Sequence, residues 1–327
     1  MIDLRVPIVQ APLAGGPSTP ELAAAVSDAG GLGFVAAGYL APDALREQLR
    51  RARALTRSPI GVNLFVLEDR PVDDIAVAAY ADELAAEGLL LGEPHFDDDA
   101  FAEKLAVAIG ERVPVVSTTF GFPSRDAVDA VHAAGAELWA TVTTLEEARA
   151  ARDGGADALV LQGAEAGGHR GSWSDADGPD LTTIELVRTV ASDVNMHLVA
   201  AGGIADARDV KRVLAVGATY AQAGTAFLLC PEAGTSEPHR RALGSGGETA
   251  VTRAFTGRRA RGIVNRFMRE HPNAPRAYPQ VHHLTAPLRA AARAAGDTDR
   301  INLWAGTAFA RAQPLPAAEV VAALGCP

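Results

Sequence analysis

The chain has little from which to build a covalent or metal scaffold. Its 327 residues include two cysteines, Cys230 and Cys326, too few for a disulfide framework or a cysteine-based metal site. No H-E-x-x-H pair or carboxylate–histidine cluster suggests a metal, so none is expected. No G-x-G-x-x-G follows the first apolar run, which argues against a doubly wound dinucleotide fold. No span approaches 20 apolar residues, and M-I-D-L-R-V-P-I-V at the start has no long apolar region of secretory type. Basic charge is also scarce. The formal charge is −10, which argues against general binding to nucleic acid or a membrane surface. A soluble, cytoplasmic protein is the expectation.

Hydrophobic residues make up 48% of the chain and aromatics only 5%, so a sizeable core would be mostly Ala, Val and Leu. Short apolar runs alternate with helical patterns, as in βα units around a parallel sheet. The runs are Val6 to Ala11, Leu32 to Ala37, Ile60 to Val66, Val113 to Thr118, Glu137 to Val142, Ala158 to Gln162, His197 to Ala201 and Thr219 to Ala223. Residues 67–112 hold two additional helical patterns. Ser18 or Thr19, with Glu21, reads as a capping box; Ser124 caps a later helix, and Thr143-x-x-Glu146 reads as another box. Gly31, Gly135, Gly155 and Gly217 recur between helix and strand, where a left-handed residue turns the chain back into the sheet.

Eight such units predict an α/β fold, a (β/α)8 TIM barrel over residues 1–231 with its active site at the C-terminal strand ends. The rhythm fails over 232–300, which predicts an inserted, smaller, mainly helical domain; residues 301–327 are expected to return to the barrel. Residues 231–300 carry twelve arginines against six acids, leaving −16 for the remainder. Arg258, Arg259, Arg261, Arg266 and Arg269 read either as an ion-pairing surface or as contacts to an anionic ligand.

Candidate site residues cluster at the strand ends. The sixth run opens into Q-G-A-E-A-G-G-H-R-G, which holds His169 between Gly167-Gly168 and Arg170-Gly171. Glycine lets backbone approach a ligand, and histidine can exchange a proton near neutrality, so His169 is the candidate catalytic group. Gly202-Gly203 and Gln222-Ala223-Gly224-Thr225 occupy the loops after runs seven and eight, where barrels commonly bind phosphate, and Asp206 is placed to cap the next helix. Asn63 and Gln162 end otherwise apolar runs, and Gln10 is a weaker case. Burying such amides requires hydrogen-bond partners, which a heterocycle would offer. Bare backbone at Pro12, Leu13 and Ala14 completes a pattern suited to a flavin. Neither cysteine has the loop setting of a barrel nucleophile.

These residues sit in blocks that resemble the nitronate monooxygenase family, formerly called 2-nitropropane dioxygenases. The blocks are P-I-V-Q-A-P-L-A-G-G-P-S-T-P-E-L (Pro7 to Leu22), A-G-G-L-G-F (Ala29 to Phe34), G-Y-L (Gly38 to Leu40), N-L-F-V (Asn63 to Val66) and V-S-T-T-F-G-F-P (Val116 to Pro123). They continue with Q-G-x-E-A-G-G-H-R-G (Gln162 to Gly171), A-G-G-I (Ala201 to Ile204), Q-A-G-T-A-F (Gln222 to Phe227) and T-R-A-F-T-G-R-R-A-R-G-I-V-N-R-F (Thr252 to Phe267). The resemblance implies non-covalent FMN, no metal, and oxidation of alkyl nitronates, or of nitroalkanes, by O2 to carbonyl compounds and nitrite. It implies FMN contacts at Asn63, Gln162, Gly167, Gly203 and Gln222 to Thr225, and an active-site role for His169, as imidazolium or neutral donor or as a base. Gly168 and Gly202 join the candidate cofactor loops. Some members carry a second histidine where this chain has Thr119. Tyr278, His282, His283 and Trp304 are candidates for the substrate pocket, and a homodimer is left open. The alternative is an FMN-dependent NAD(P)H oxidoreductase on the same scaffold, of quinone reductase or enoyl-acyl-carrier-protein reductase type.

Overall fold

The structure, a computed structural model, describes residues 2–178 and 180–326. All eight apolar runs form parallel strands: β1 (Ile8–Gln10), β2 (Gly33–Ala36), β3 (Ile60–Phe65), β4 (Val115–Thr119), β5 (Glu137–Val142), β6 (Ala158–Gln162), β8 (His197–Ala201) and β9 (Tyr220–Ala223). They pair in the order β1-β9-β8-β6-β5-β4-β3-β2. A parallel bridge between Val9 and Leu32 brings the two ends together, so the sheet curls into a nearly closed barrel. Strand side chains alternate between two faces. Val9, Phe34, Val115, Trp139, Val160, Val199 and Tyr220 fill the interior. Ile8, Leu159, Leu161, Leu198 and Ala221 pack outward against the helices.

The helices lie between strands: α1 (Pro20–Asp28), α2 (Pro42–Leu55), α3 (Asp74–Ala86), α4 (Phe101–Gly110), α5 (Arg125–Ala133), α6 (Leu145–Gly154), α7 (Thr183–Ala191) and α8 (Ala207–Ala215). Ser124 caps α5 as expected, whereas the capping box of α1 and the cap residue of α6 differ from the sequence reading. Thr19 caps α1 because Pro20 already fills the first helical position; Glu21 then falls outside a capping box and pairs with Arg51. Thr144 rather than Thr143 caps α6, and Glu147 rather than Glu146 accepts from the Thr143 N–H and hydroxyl. The left-handed turn before β2 is made by Gly30 (φ +101°). Its neighbour Gly31 is needed for space, since a Cβ there would lie 2.6 Å from the Ile8 carbonyl oxygen.

The segment 232–300 is not purely helical. It holds α9 (Glu237–Gly244), α10 (Arg266–Glu270) and α11 (Gln280–Ala295), and also β10 (Thr249–Thr252) and β11 (Ala260–Ile263). These two strands form an antiparallel sheet with β7 (Gly168–His169), a two-residue strand in the loop after β6. Alternation over four residues is too short to register against the surrounding helical pattern, which is why β10 and β11 escape a sequence reading. Phe255, Phe267, Val281, Leu284 and Leu288 from this segment bury α3 through Val77, Tyr80 and Leu84. The final helix, α12 (Ala317–Gly325), packs Ala317, Val320, Val321 and Leu324 into the outer barrel core. Among the described residues, no helix is long and apolar enough to cross a membrane.

Candidate active site

Parallel strands deliver all their C-terminal ends to one rim, and there a cavity of about 470 Å³ opens. That is within the range of roughly 300–1,000 Å³ common for cofactor and ligand sites. Pro12, Leu13 and Ala14 line it from the loop after β1, and Asn63 and Gln162 from β3 and β6. Gly167, Gly168 and His169 follow, then Gly202 and Gly203, and Gln222, Ala223, Gly224 and Thr225 from the end of β9 and the loop after it, beside that of β1. The fold thus brings His169 and all the candidate cofactor loops to one space.

The two glycine loops present backbone. Gly202 and Gly203 take φ of +117° and +71°, conformations that suit glycine. Asp206 caps α8 as expected, accepting from the Arg208 and Asp209 N–H groups, with Asp209 completing a capping box. The helix terminus is therefore satisfied internally. The N–H groups of Gly203 and Gly224 donate to no described residue and remain for an anion. Thr225 Oγ1 accepts from Gly306 N at 3.0 Å, which leaves its own proton to donate. These donors fit a phosphate monoester.

The three amides have different fates. Gln10 is fully buried and spent on structure: its amide donates to the Ala11 carbonyl and, at 2.9 Å, to Ser18 Oγ, and accepts from Phe34 N. Asn63 Nδ2 donates to Ser117 Oγ at 2.9 Å and Thr119 Oγ1 at 3.0 Å, and its Oδ1 carries none of these bonds. Thr119 is part of this chain of hydroxyls and lies 3.4 Å from Thr141 Oγ1. Gln162 donates through Nε2 to the His169 carbonyl at 3.0 Å and accepts on Oε1 from Gly171 N at 2.8 Å. It lines the cavity while pinning the histidine loop. Arg170 pins the same loop from behind, donating to the Gln162 and Gly163 carbonyls and pairing with Asp180. A Cβ at Gly167 would meet Ala305 and Gly306 backbone at 2.4 Å, so glycine there admits the returning C-terminal segment.

His169 stands half-buried among Phe120, Tyr278 and Trp304, with ring centroids 5.5 to 5.8 Å away. Its Nε2 lies 3.0 Å from Thr256 Oγ1, and Thr256 donates to the Arg258 carbonyl at 3.3 Å. Burial, with the nearby charges of Arg258 and Arg289, pushes the imidazole down to about 3. The imidazolium alternative is thereby disfavoured at neutral pH. His169 is a neutral ring in a positive environment.

One wall of the cavity comes from residues the sequence reading did not single out. Tyr39 stacks on His282 at 4.2 Å and an interplanar angle of 5°, and its hydroxyl lies 3.1 Å from that of Tyr278. Phe120, Thr256 and Arg289 also line the space. Of the four pocket candidates, His282 and Trp304 line it, Tyr278 packs on His169 behind it, and His283 turns outward to stack on His95 at 3.9 Å. The arginine group divides: Arg258 is buried over the Phe120 ring at 4.2 Å, Arg259 pairs with Asp180, and Arg266 pairs with Glu270. Arg261 donates to the Ala164 carbonyl. Burial raises the Cys230 thiol to about 12, which removes it as a nucleophile.

Comparison with known proteins places this geometry. The nitronate monooxygenase family model matches residues 1–325. The nitronate monooxygenase of Pseudomonas aeruginosa is 40% identical over 99% of this chain and 96% of its own length. That of Paraburkholderia phytofirmans is 38% identical over 99% and 92%. Among solved structures, nitroalkane oxidase from Streptomyces ansochromogenes superposes with a TM-score of 0.95 and 48% identity, covering 98% of this chain and 95% of that one. FabK from Thermotoga maritima gives 0.79 and 27% over 98% and 92%.

Proposed function

The chain belongs to the nitronate monooxygenase family, and from that premise we propose that it holds FMN in the strand-end cavity and oxidises alkyl nitronates with O2 to carbonyl compounds and nitrite. When bound, FMN supplies the electron transfer. The protein supplies binding, orientation and charge. Gly203, Gly224 and the Thr225 hydroxyl would hold the phosphate. Asn63 Oδ1 and the Pro12 to Ala14 backbone would meet the ring, and Gln162 would act by fixing the loop that carries Gly167, Gly168 and His169. Residues 232–300 would act as an inserted unit that closes one wall of the mouth.

His169 is the acid–base candidate. A hydroxyl has one proton, and the Thr256 proton is directed to the Arg258 carbonyl. His169 Nε2 is then the donor to Thr256, which assigns the tautomer from the bond network and leaves Nδ1 with its lone pair. A neutral imidazole has the free lone pair needed to accept the α-proton of a neutral nitroalkane, and the guanidinium charges that weaken it as a base would stabilise the nitronate formed. With a nitronate no proton need be removed, and the positive environment stabilises the anion.

The observation that carries this reading is His169, bonded to Thr256 and close to the buried guanidiniums of Arg258 and Arg289, in a cavity rimmed by glycine loops. It is tested with His169→Ala. The variant is expected to retain its flavin and lose most turnover of a nitroalkane. Loss of flavin with normal activity per bound flavin would sink the assignment.

A further inference from the structure

We infer that Arg289 is the anchor for the anionic head of the substrate, its Nη1 edge receiving an oxygen of the nitronate, so that the site selects small planar oxyanions over neutral nitro compounds. This rests on the reading above that the substrate is a nitronate. Arg289 lies on the buried face of α11 with Thr285, Leu288 and Ala292 and is 7% exposed. It nonetheless lines the cavity. Its Nε donates to Thr285 Oγ1 at 3.0 Å and its Nη2 to the His282 carbonyl at 2.8 Å. Two edges of the guanidinium are thus fixed, while Nη1 donates to no described residue. A planar donor held in this way is pre-aimed for an oxyanion.

Charge accounting points the same way. Among the described residues no carboxylate forms a salt bridge with Arg289. Burial draws the guanidinium down to about 10, which leaves it cationic at neutral pH. The imidazole nearest it, His282, is pushed by burial and by Arg289 itself down to about 2, so it supplies no counter-charge and adds no second cation. A buried charge without a partner is costly, and an incoming anion removes that cost. The other two buried guanidiniums, Arg170 and Arg258, do not line the cavity, and Arg170 is paired with Asp180. Arg258 donates to the Arg170 and Ser172 carbonyls and covers Phe120. Arg293, one turn beyond Arg289, lines the cavity but is exposed to solvent.

The test uses the flavin-loaded enzyme and nitrate, a planar oxyanion that cannot itself be oxidised here. Nitrate should perturb the bound flavin spectrum and compete with propyl-2-nitronate. In Arg289→Met the nitrate perturbation is expected to vanish and the KM for nitronate to rise about 10- to 100-fold, the scale of one charge-assisted hydrogen bond, while the KM for neutral nitroethane stays near that of wild type. Arg289→Lys keeps the charge and should recover part of both losses, and it serves if the methionine variant fails to fold. Unchanged nitrate affinity and unchanged nitronate KM in Arg289→Met would overturn the inference. So would a fall in kcat shared by both substrates with KM unaltered. If wild type turns over no nitronate but binds nitrate through Arg289, the anion anchor stands and the activity reading falls. Normal nitronate turnover with no nitrate binding does the opposite: the anchor falls and the activity reading stands.

Discussion

Thr256 comes from a loop 87 residues beyond His169 in the chain, yet its hydroxyl, 3.0 Å from Nε2, sets which nitrogen of that ring is free. Thr256→Val should leave the Nε2–H without an acceptor, a loss of about 1–3 kcal/mol. Turnover of a neutral nitroalkane is then expected to fall at least about tenfold, with Thr256→Ser restoring most of it. Because the folded His169 is depressed to about 3, its base form persists as pH falls. Wild-type kcat/KM for nitroethane should therefore show no His169 limb between about pH 8 and pH 5. A limb near pH 6.5 would contradict the neutral-histidine account. His169 was legible in the sequence because glycines fence it. Thr256 and Arg289 were not, because each acquires its meaning from a distant partner. Arg289 did leave one trace: it is a charged residue at the i+4 position from Thr285 and one past Leu288, on a face that is otherwise apolar.

At the scale of elements, the segment between β3 and β4 acts as a brace. Lys104 of α4 is 1% exposed, and its Nζ lies 2.7 Å from Asp99 Oδ2. Asp99 in turn accepts from the Tyr39 N–H at 2.9 Å, and Tyr39 holds a left-handed φ of 68° while stacking on His282. Burial raises the Asp99 carboxyl, with Lys104 opposing that rise. Lys104→Met should cost about 3–5 kcal/mol, the usual consequence of orphaning one member of a buried pair, read as a lower urea midpoint. Adding Asp99→Asn to that variant should return part of it. A midpoint unchanged in the single variant would contradict the brace. The strands of the barrel and the helices between them followed from hydrophobic periodicity. The α6 cap slipped by one residue, from Thr143 to Thr144, because neighbouring hydroxyls offer the same chemistry, and backbone geometry alone chooses Thr19 over Ser18 at α1. β7, β10 and β11 had no signal, because a two-residue strand has no period and four residues are too few to establish one.

Across the whole molecule, the charge asymmetry of the sequence becomes a seam. Arg253 and Arg259 of the arginine-rich segment pair with Asp175, Asp177 and Asp180 in the loop beyond β7, and Arg170 joins them at Asp180. The excess positive charge thus fastens the wall of the cavity to the barrel, while Arg258 and Arg289 carry it inward. The ion-pairing reading of that arginine group holds for Arg259 and Arg266, while Arg258 and Arg261 are spent on backbone carbonyls. The cofactor and substrate are where this arrangement meets its most direct test. The purified protein, loaded with FMN, is mixed with propyl-2-nitronate without O2, and the flavin absorbance is followed; NADH and NADPH are tried in parallel. The account expects the nitronate to bleach the flavin with no pyridine nucleotide present, and nitrite and a carbonyl product to accumulate once O2 is admitted. Rapid bleaching by NADH or NADPH, with no response to the nitronate, would contradict it.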